Sequence, residues 1–74
     1  MYEMNEVNMK IQLNGAVVEL DAPLTLSGLL ARHKMKPEVV VVEYNLRVPA
    51  KDEYDRIELA DGDRVEIVKF MGGG

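Results

Sequence analysis

Asn14-Gly15 separates two short strand-forming segments, and this pair restricts the fold more than any other feature of the chain. Asn-Gly is the strongest short signal for a two-residue hairpin turn, because both residues tolerate positive φ. Apolar and polar side chains alternate in residues 9–13, as is typical of a strand with one buried face. The sequence therefore predicts an antiparallel hairpin of residues 9–13 and 16–20. Its core-facing side chains are predicted to be Met9, Ile11, Leu13, Val18 and Leu20.

One helix is predicted after the hairpin. Pro23 has no amide hydrogen to give to a strand ladder, and Thr25 is a suitable helix N-cap. Apolar residues then recur at the spacing of one helical face. That face consists of Leu26, Leu29, Leu30 and His33. We expect His33 to lie partly packed on the seam of this helix and to have no catalytic role.

The second half of the chain predicts two more strands. Residues 39–44 are almost entirely apolar and β-branched, which indicates an interior strand with Val40, Val42 and Tyr44 inward. Residues 48–49 form at most a short edge strand, and residues 51–54 form one helical turn. Residues 64–69 alternate as a final strand with Val65 and Ile67 inward.

This order of elements predicts an α+β domain with the β-grasp, or ubiquitin-like, fold. A mixed sheet of four to five strands packs on one main helix, and the final strand lies beside the first. We divide the chain into a flexible N-terminal extension (residues 1–8), the β-grasp domain (residues 9–69) and a flexible, functional C-terminal tail (residues 70–74).

Composition excludes several classes of function. A net charge of −4 argues against nucleic-acid binding, which needs a basic face. The chain has no cysteine and one histidine, so thiolate and histidine metal sites are excluded. No apolar stretch approaches the length of a membrane span, and the polar N-terminus does not resemble a signal peptide. We therefore expect a cytoplasmic protein with no membrane partner.

Three consecutive glycines end the sequence, and no helix or strand benefits from glycine there. Such a tail is useful if the terminal carboxylate of Gly74 is the working group. Without Cβ atoms, Gly72 and Gly73 can thread a narrow channel to an active site on another protein. The alternative interpretation is a disordered remnant. On the strand before the tail, Val68 and Phe70 should face outward, and with Met71 they are the predicted docking residues for partners.

Three segments resemble the bacterial sulfur carrier proteins of thiamine biosynthesis, the ThiS family. They are MKIQLNG at residues 9–15, VEYNLRVP at residues 42–49 and LADGDRVEIVKFMGGG at residues 59–74. Each segment is weakly specific, but their order, the short chain and the glycine end make the combination fairly specific. Residues 1–8 depart from the pattern because they precede the usual start of the family.

The resemblance implies a carrier and not an enzyme. An adenylating partner enzyme that binds ATP and Mg²⁺ would activate the carboxylate of Gly74, and a persulfide donor would convert it to a thiocarboxylate. Thiazole synthase would then receive the sulfur. The chain itself is expected to bind no cofactor and no metal, and to be monomeric when free.

Three other functions stay open. The small subunit of molybdopterin synthase uses the same fold and the same chemistry, although the compact segment of residues 45–55 favours the thiamine branch. A ubiquitin-like protein modifier would join its terminal glycine to lysine. A plain interaction module would not need its last glycines at all.

Overall fold

The computed structural model describes residues 9–70. The two outer segments of the sequence-based division, residues 1–8 and most of the predicted tail (residues 71–74), lie outside the described residues. The described part contains four strands, one α-helix and two 3₁₀ turns. They are β1 (Met9–Leu13), β2 (Ala16–Leu20), α1 (Leu26–Arg32), a 3₁₀ turn (Pro37–Val39), β3 (Val40–Tyr44), a second 3₁₀ turn (Lys51–Glu53) and β4 (Arg64–Lys69).

The four strands form one mixed sheet in the order β2-β1-β4-β3. β1 and β4 are parallel neighbours in its centre, and the two outer pairs are antiparallel. This confirms the predicted position of the last strand beside the first. The possible edge strand at residues 48–49 does not form. Arg47 makes only an isolated bridge to Tyr44, and the proline that follows Val48 cannot donate to a ladder.

Helix α1 begins where the sequence predicted. The Oγ1 atom of Thr25 accepts a hydrogen bond of 3.1 Å from the amide of Gly28, which satisfies one of the free amides of the first turn. The predicted packing of His33 is wrong. The helix ends at Arg32, so His33 is the C-cap and its side chain is exposed. Met35 packs against the core after this turn.

The core lies between α1 and the inner face of the sheet. Its buried side chains come from every strand, from α1 and from the connection between β3 and β4, where Tyr54 and Leu59 cover one end. They are Ile11, Leu20, Leu26, Leu29, Leu30, Val40, Val42, Tyr54, Leu59, Val65 and Ile67. In β4 the alternation of Val65 and Ile67 with exposed residues is as predicted.

The side chain of Asn14 joins the hairpin turn to β4. The backbone amide of Asn14 donates to the carbonyl of Val65 at 2.9 Å, which continues the parallel ladder past the end of β1. The amide of Ile67 then donates to Oδ1 of Asn14 at 2.7 Å, and Nδ2 donates to the carbonyl of Ile67 at 3.3 Å. The side-chain amide thus takes the place of one further residue of β1.

Leu46 occupies an unfavourable position in the turn after β3. Asn45 and Leu46 have φ values of 49° and 73°, and the backbone of Tyr44 exchanges two hydrogen bonds with Arg47 across them. Leucine pays about 1–2 kcal/mol in this left-handed region, whereas asparagine tolerates it. The side chain of Leu46 is 74% exposed, so burial does not offset this cost.

We expect Leu46→Asn to raise the free energy of unfolding by about 1 kcal/mol, because it relieves the backbone and loses little buried surface. Denaturant titration measures the change. Val48→Asn is the matched control: Val48 is 66% exposed and has no positive φ, so its variant should stay within about 0.5 kcal/mol of the parent. A Leu46→Asn protein no more stable than the parent would contradict the assigned strain.

Candidate functional site

The end of β4 carries a patch of exposed apolar side chains on the outer face of the sheet. We call Val39, Val41, Val68 and Phe70 the outer patch. Val41 lies opposite Val68 in the β3–β4 ladder, and the amide of Phe70 donates to the carbonyl of Val39 at 2.8 Å. Side chains on β4 alternate between the two faces of the sheet. Burial of Val65 and Ile67 therefore requires Val68 and Phe70 to face outward.

The outer patch is open to solvent. Val68 is 62% exposed, Phe70 is 54% exposed and Val39 is 38% exposed, while Val41 is half-buried between its neighbours. Val17 is also exposed on the outer face of the sheet, but it lies apart from the patch. Val17 pairs with Gln12 of β1, which pairs with Arg64 of β4. Val17 therefore lies two strands from β4, level with a residue four positions before Val68.

Charged side chains border the outer patch. Glu43 and Glu66 lie directly opposite each other in the next row of the same face of the sheet. An apolar patch with a charged rim is typical of a surface that binds another protein. Val68 and Phe70 face outward, as the alternation in β4 predicted, and their docking role stays a prediction. The sequence did not identify Val39 as part of this patch. It predicted a strand that begins at residue 39, but it did not show that Val39 contacts Phe70.

The described backbone ends directly before the other predicted site residues. Met71, Gly72, Gly73 and Gly74 lie outside the described residues. Phe70 still holds its hydrogen bond to Val39, so the described backbone carries the strand to the residue directly before Met71.

A shallow pocket of about 270 Å³ lies at the opposite end of the sheet and is lined by Asn45, Leu46, Gly62 and Arg64. Its charged neighbour Asp63 is engaged in the fold. Asp63 is 8% exposed, and its carboxylate accepts hydrogen bonds from the Tyr44 hydroxyl (2.8 Å), Asn45 Nδ2 (3.1 Å) and the amide of Ala60 (2.8 Å). These bonds tie two turns together, so this end of the molecule is a structural joint.

Neither a metal site nor a membrane segment emerges from residues 9–70. No three His, Asp or Glu side chains in that range gather closely enough to hold a metal ion. None of the helices in that range has the length and apolar character needed to cross a bilayer. The turn at Asp61-Gly62 has a positive φ of 89° at Gly62.

Comparison with known proteins identifies the relatives of this chain. A sequence model of the ThiS family matches residues 11–74. The chain belongs to the ThiS family. The sulfur carrier protein ThiS of Bacillus subtilis is 40% identical over 65 residues, which cover 86% of this chain and 98% of that protein.

Other ThiS relatives agree in sequence and in fold. The crystal structure of the thiamine biosynthesis protein ThiS from Geobacter metallireducens has a TM-score of 0.74 and 36% identity, and the match covers 89% of this chain and all of that one. A thiazole synthase of Magnetococcus marinus is 42% identical over 66 residues. This ThiS chain spans about a fifth of the length of the two thiazole synthases that it matches.

Two tyrosines, Tyr44 beside Asp63 and Tyr54 in the core, should make the free energy of unfolding depend on pH in the alkaline range. Burial raises the pKa of Tyr44 above its ordinary value of 10.0, and its hydrogen bond to Asp63 and the negative charge of Asp63 raise it further. Burial also raises the pKa of Tyr54, partly offset by a backbone hydrogen bond from Val42. The folded state therefore holds both phenolic protons more tightly than the unfolded chain does.

We expect the free energy of unfolding contributed by these tyrosines to be complete below about pH 10 and to fall as pH rises through the higher pKa values of the folded state. Denaturant titrations from pH 8 to pH 12, a window chosen around the reference value, measure the loss. In Tyr44→Phe the loss should be smaller, because only Tyr54 remains. The variant should also cost about 1–3 kcal/mol at neutral pH, since Asp63 loses a buried donor. An unchanged alkaline slope in Tyr44→Phe would exclude Tyr44 as its source.

Proposed function

We propose that this chain is a sulfur carrier of thiamine biosynthesis and that the carboxylate of Gly74 is its working group. The observation that supports this most strongly is the family match, which runs through residue 74 and so includes the three glycines. The Bacillus subtilis relative is itself named a sulfur carrier protein and is matched over 98% of its length. In this proposal the chain is a substrate of its partners and not a catalyst.

The chemistry begins with activation of a poor electrophile. A terminal carboxylate has a pKa near 3.5 and is ionised at neutral pH, so it resists nucleophilic attack. In the proposed reaction an oxygen of the Gly74 carboxylate attacks the α-phosphorus of ATP, pyrophosphate leaves, and an acyl adenylate forms. The adenylating enzyme supplies ATP and Mg²⁺. It must also exclude water, which would hydrolyse the adenylate.

Sulfur then replaces the adenylate. The terminal sulfur of a cysteine persulfide attacks the acyl carbon and AMP leaves, which joins the chain to the donor through an acyl disulfide. A thiol reductant then cleaves the sulfur–sulfur bond and leaves the thiocarboxylate on Gly74. We propose thiazole synthase as the acceptor, since two thiazole synthases contain a segment similar to this chain. The use of ATP is the reason for a proposed cytoplasmic location.

The arrangement of the described residues supports delivery by the chain end. Within the described residues, the apolar side chains form one packed core, and the buried carboxylate of Asp63 is bound by hydrogen bonds that hold the fold together. The outer patch lies at the base of the tail, so a partner that grips it also receives the residues that follow Phe70. We therefore propose the outer patch, together with Met71, as the docking surface, and Gly72 and Gly73 as the segment that threads the channel.

Intact mass spectrometry tests the proposed chemistry. We expect the wild-type chain, incubated with the adenylating enzyme, ATP and a persulfide donor, to gain the mass difference between sulfur and oxygen at its C-terminus. A variant extended by one alanine after Gly74 is the matched control and should gain nothing, because its glycine carboxylate is blocked. A gain of equal size on the extended chain would rule out the terminal carboxylate as carrier. Lysine conjugates in place of the gain would indicate a protein modifier.

The docking role of the outer patch is tested with two exposed valines on the same face of the sheet. Val68→Ala should raise the KM of adenylation roughly tenfold, equivalent to about 1.4 kcal/mol of binding, with Phe70→Ala at least as severe. Val17→Ala is the matched control and should leave KM unchanged, because Val17 is equally exposed but distant from the patch. All three should lose less than about 1 kcal/mol of stability, measured by denaturation. Equal KM values for the two valine variants would remove the patch as a docking surface.

A further inference from the structure

Among the described residues, one side of the backbone of Lys69, the last residue of β4, has no hydrogen-bond partner. Along β4 the backbone groups face alternate neighbours. The carbonyl of Arg64 accepts from the amide of Asn45, and the amide of Phe70 donates to Val39, so even-numbered residues face β3. The odd-numbered residues therefore face β1.

The hairpin does not extend far enough to pair with Lys69. Val65 and Ile67 are bound by the backbone and side chain of Asn14, but the chain turns away at Gly15. Within residues 9–70, no group pairs with the β1-facing amide and carbonyl of Lys69. A donor and an acceptor thus stand open directly before the predicted tail.

The outer edge of β3 is treated differently. The carbonyl of Val40 accepts a hydrogen bond of 3.1 Å from Nζ of Lys51, and the backbone of Tyr44 is bound to Arg47. Natural sheets commonly cover edges in this way to prevent unwanted pairing. The open backbone at Lys69 is therefore a local exception on the β3–β4 half of the sheet.

We propose that an extended segment of the adenylating enzyme pairs with Lys69 and adds a short strand to the sheet beside β4. This inference rests on the proposed function and names the docking mode of that same partner. In strand addition the partner binds through backbone hydrogen bonds and needs no side chains of this chain. This mode suits a tail of glycines, which offers an enzyme nothing but backbone to recognise.

The length of the tail supports this occupant. Four residues separate Phe70 from the end of the sequence, and four fully extended residues span at most about 14 Å. An active site that binds the carboxylate of Gly74 must therefore lie within about 14 Å of Phe70, which brings the surface of the enzyme near the end of β4. A second copy of the chain could also pair at this edge, but it would occupy the approach to the tail.

Lys69→Pro tests the proposal because proline removes one amide hydrogen, and this one has no acceptor among the described residues. We expect the KM of adenylation, measured by ATP–pyrophosphate exchange with an adenylating enzyme purified from the same organism, to rise tenfold or more with kcat within twofold. Val17→Pro is the matched control, because the amide of Val17 also faces an open edge, that of β2, and its KM should be unchanged. Lys69→Ala removes the charge and keeps the amide, so its KM should rise less than that of Lys69→Pro.

Amide hydrogen exchange on the isotope-labelled wild-type chain gives a second readout that does not depend on the folding of any variant. In the free chain the amide of Lys69 should exchange rapidly while that of Phe70 is protected. Addition of the adenylating enzyme without ATP should protect Lys69 and leave Phe70 as it was. Lys69 that stays unprotected in the complex, or a KM for Lys69→Pro equal to that of Val17→Pro, overturns the proposal.

Two further outcomes are distinct. Protection of Lys69 that grows with the concentration of the chain alone means pairing between two copies, and this also overturns the proposal. No ATP–pyrophosphate exchange with the wild-type chain would instead defeat the proposed function, and the strand addition would fall with it. Normal exchange together with an unaffected Lys69→Pro variant would defeat the strand addition alone.

Discussion

The parallel pairing of β1 with β4 is the constraint on which the rest of the molecule depends. It connects the first and last strands of the domain in the centre of the sheet, although more than fifty residues separate Asn14 from Ile67 along the chain. Contacts between such distant residues cost loop-closure entropy, which burial must offset. Ile11, Val65 and Ile67 supply that burial against the helix. The same pairing fixes which residues of β4 face outward at its end.

The position of Phe70, directly before Met71, follows from this central strand. β4 pairs with β1 at Arg64 and Val65 and with β3 as far as Lys69, so β3 holds its end. The hydrogen bond from Phe70 to Val39 carries that order one residue beyond β4. A group delivered from such a base starts from a defined position and direction, and preorganisation of this kind reduces the entropy lost when a partner binds.

Local signals in the sequence were sufficient for much of the fold. The Asn-Gly turn, the Thr25 cap and the alternation in β4 each depend on neighbouring residues, and each was predicted correctly. Alternation also gave the outward direction of Val68 and Phe70. The clamp made by the Asn14 side chain and the burial of Asp63 were not predictable in this way, because their partners are brought close only by the fold. His33 was misplaced because spacing indicates a helical face but not the residue at which the helix stops.

The covered outer edge of β3 has a consequence for the order in which partner proteins can bind. Lys51 and Arg47 bind the backbone of that edge, so among the described residues the open backbone next to Phe70 lies on the hairpin side of β4. Two proteins that both pair with this side of β4 cannot bind the chain simultaneously. A chain that binds both proteins in this way must dissociate from the first before it binds the second, and the dissociation rates then limit the rate of transfer.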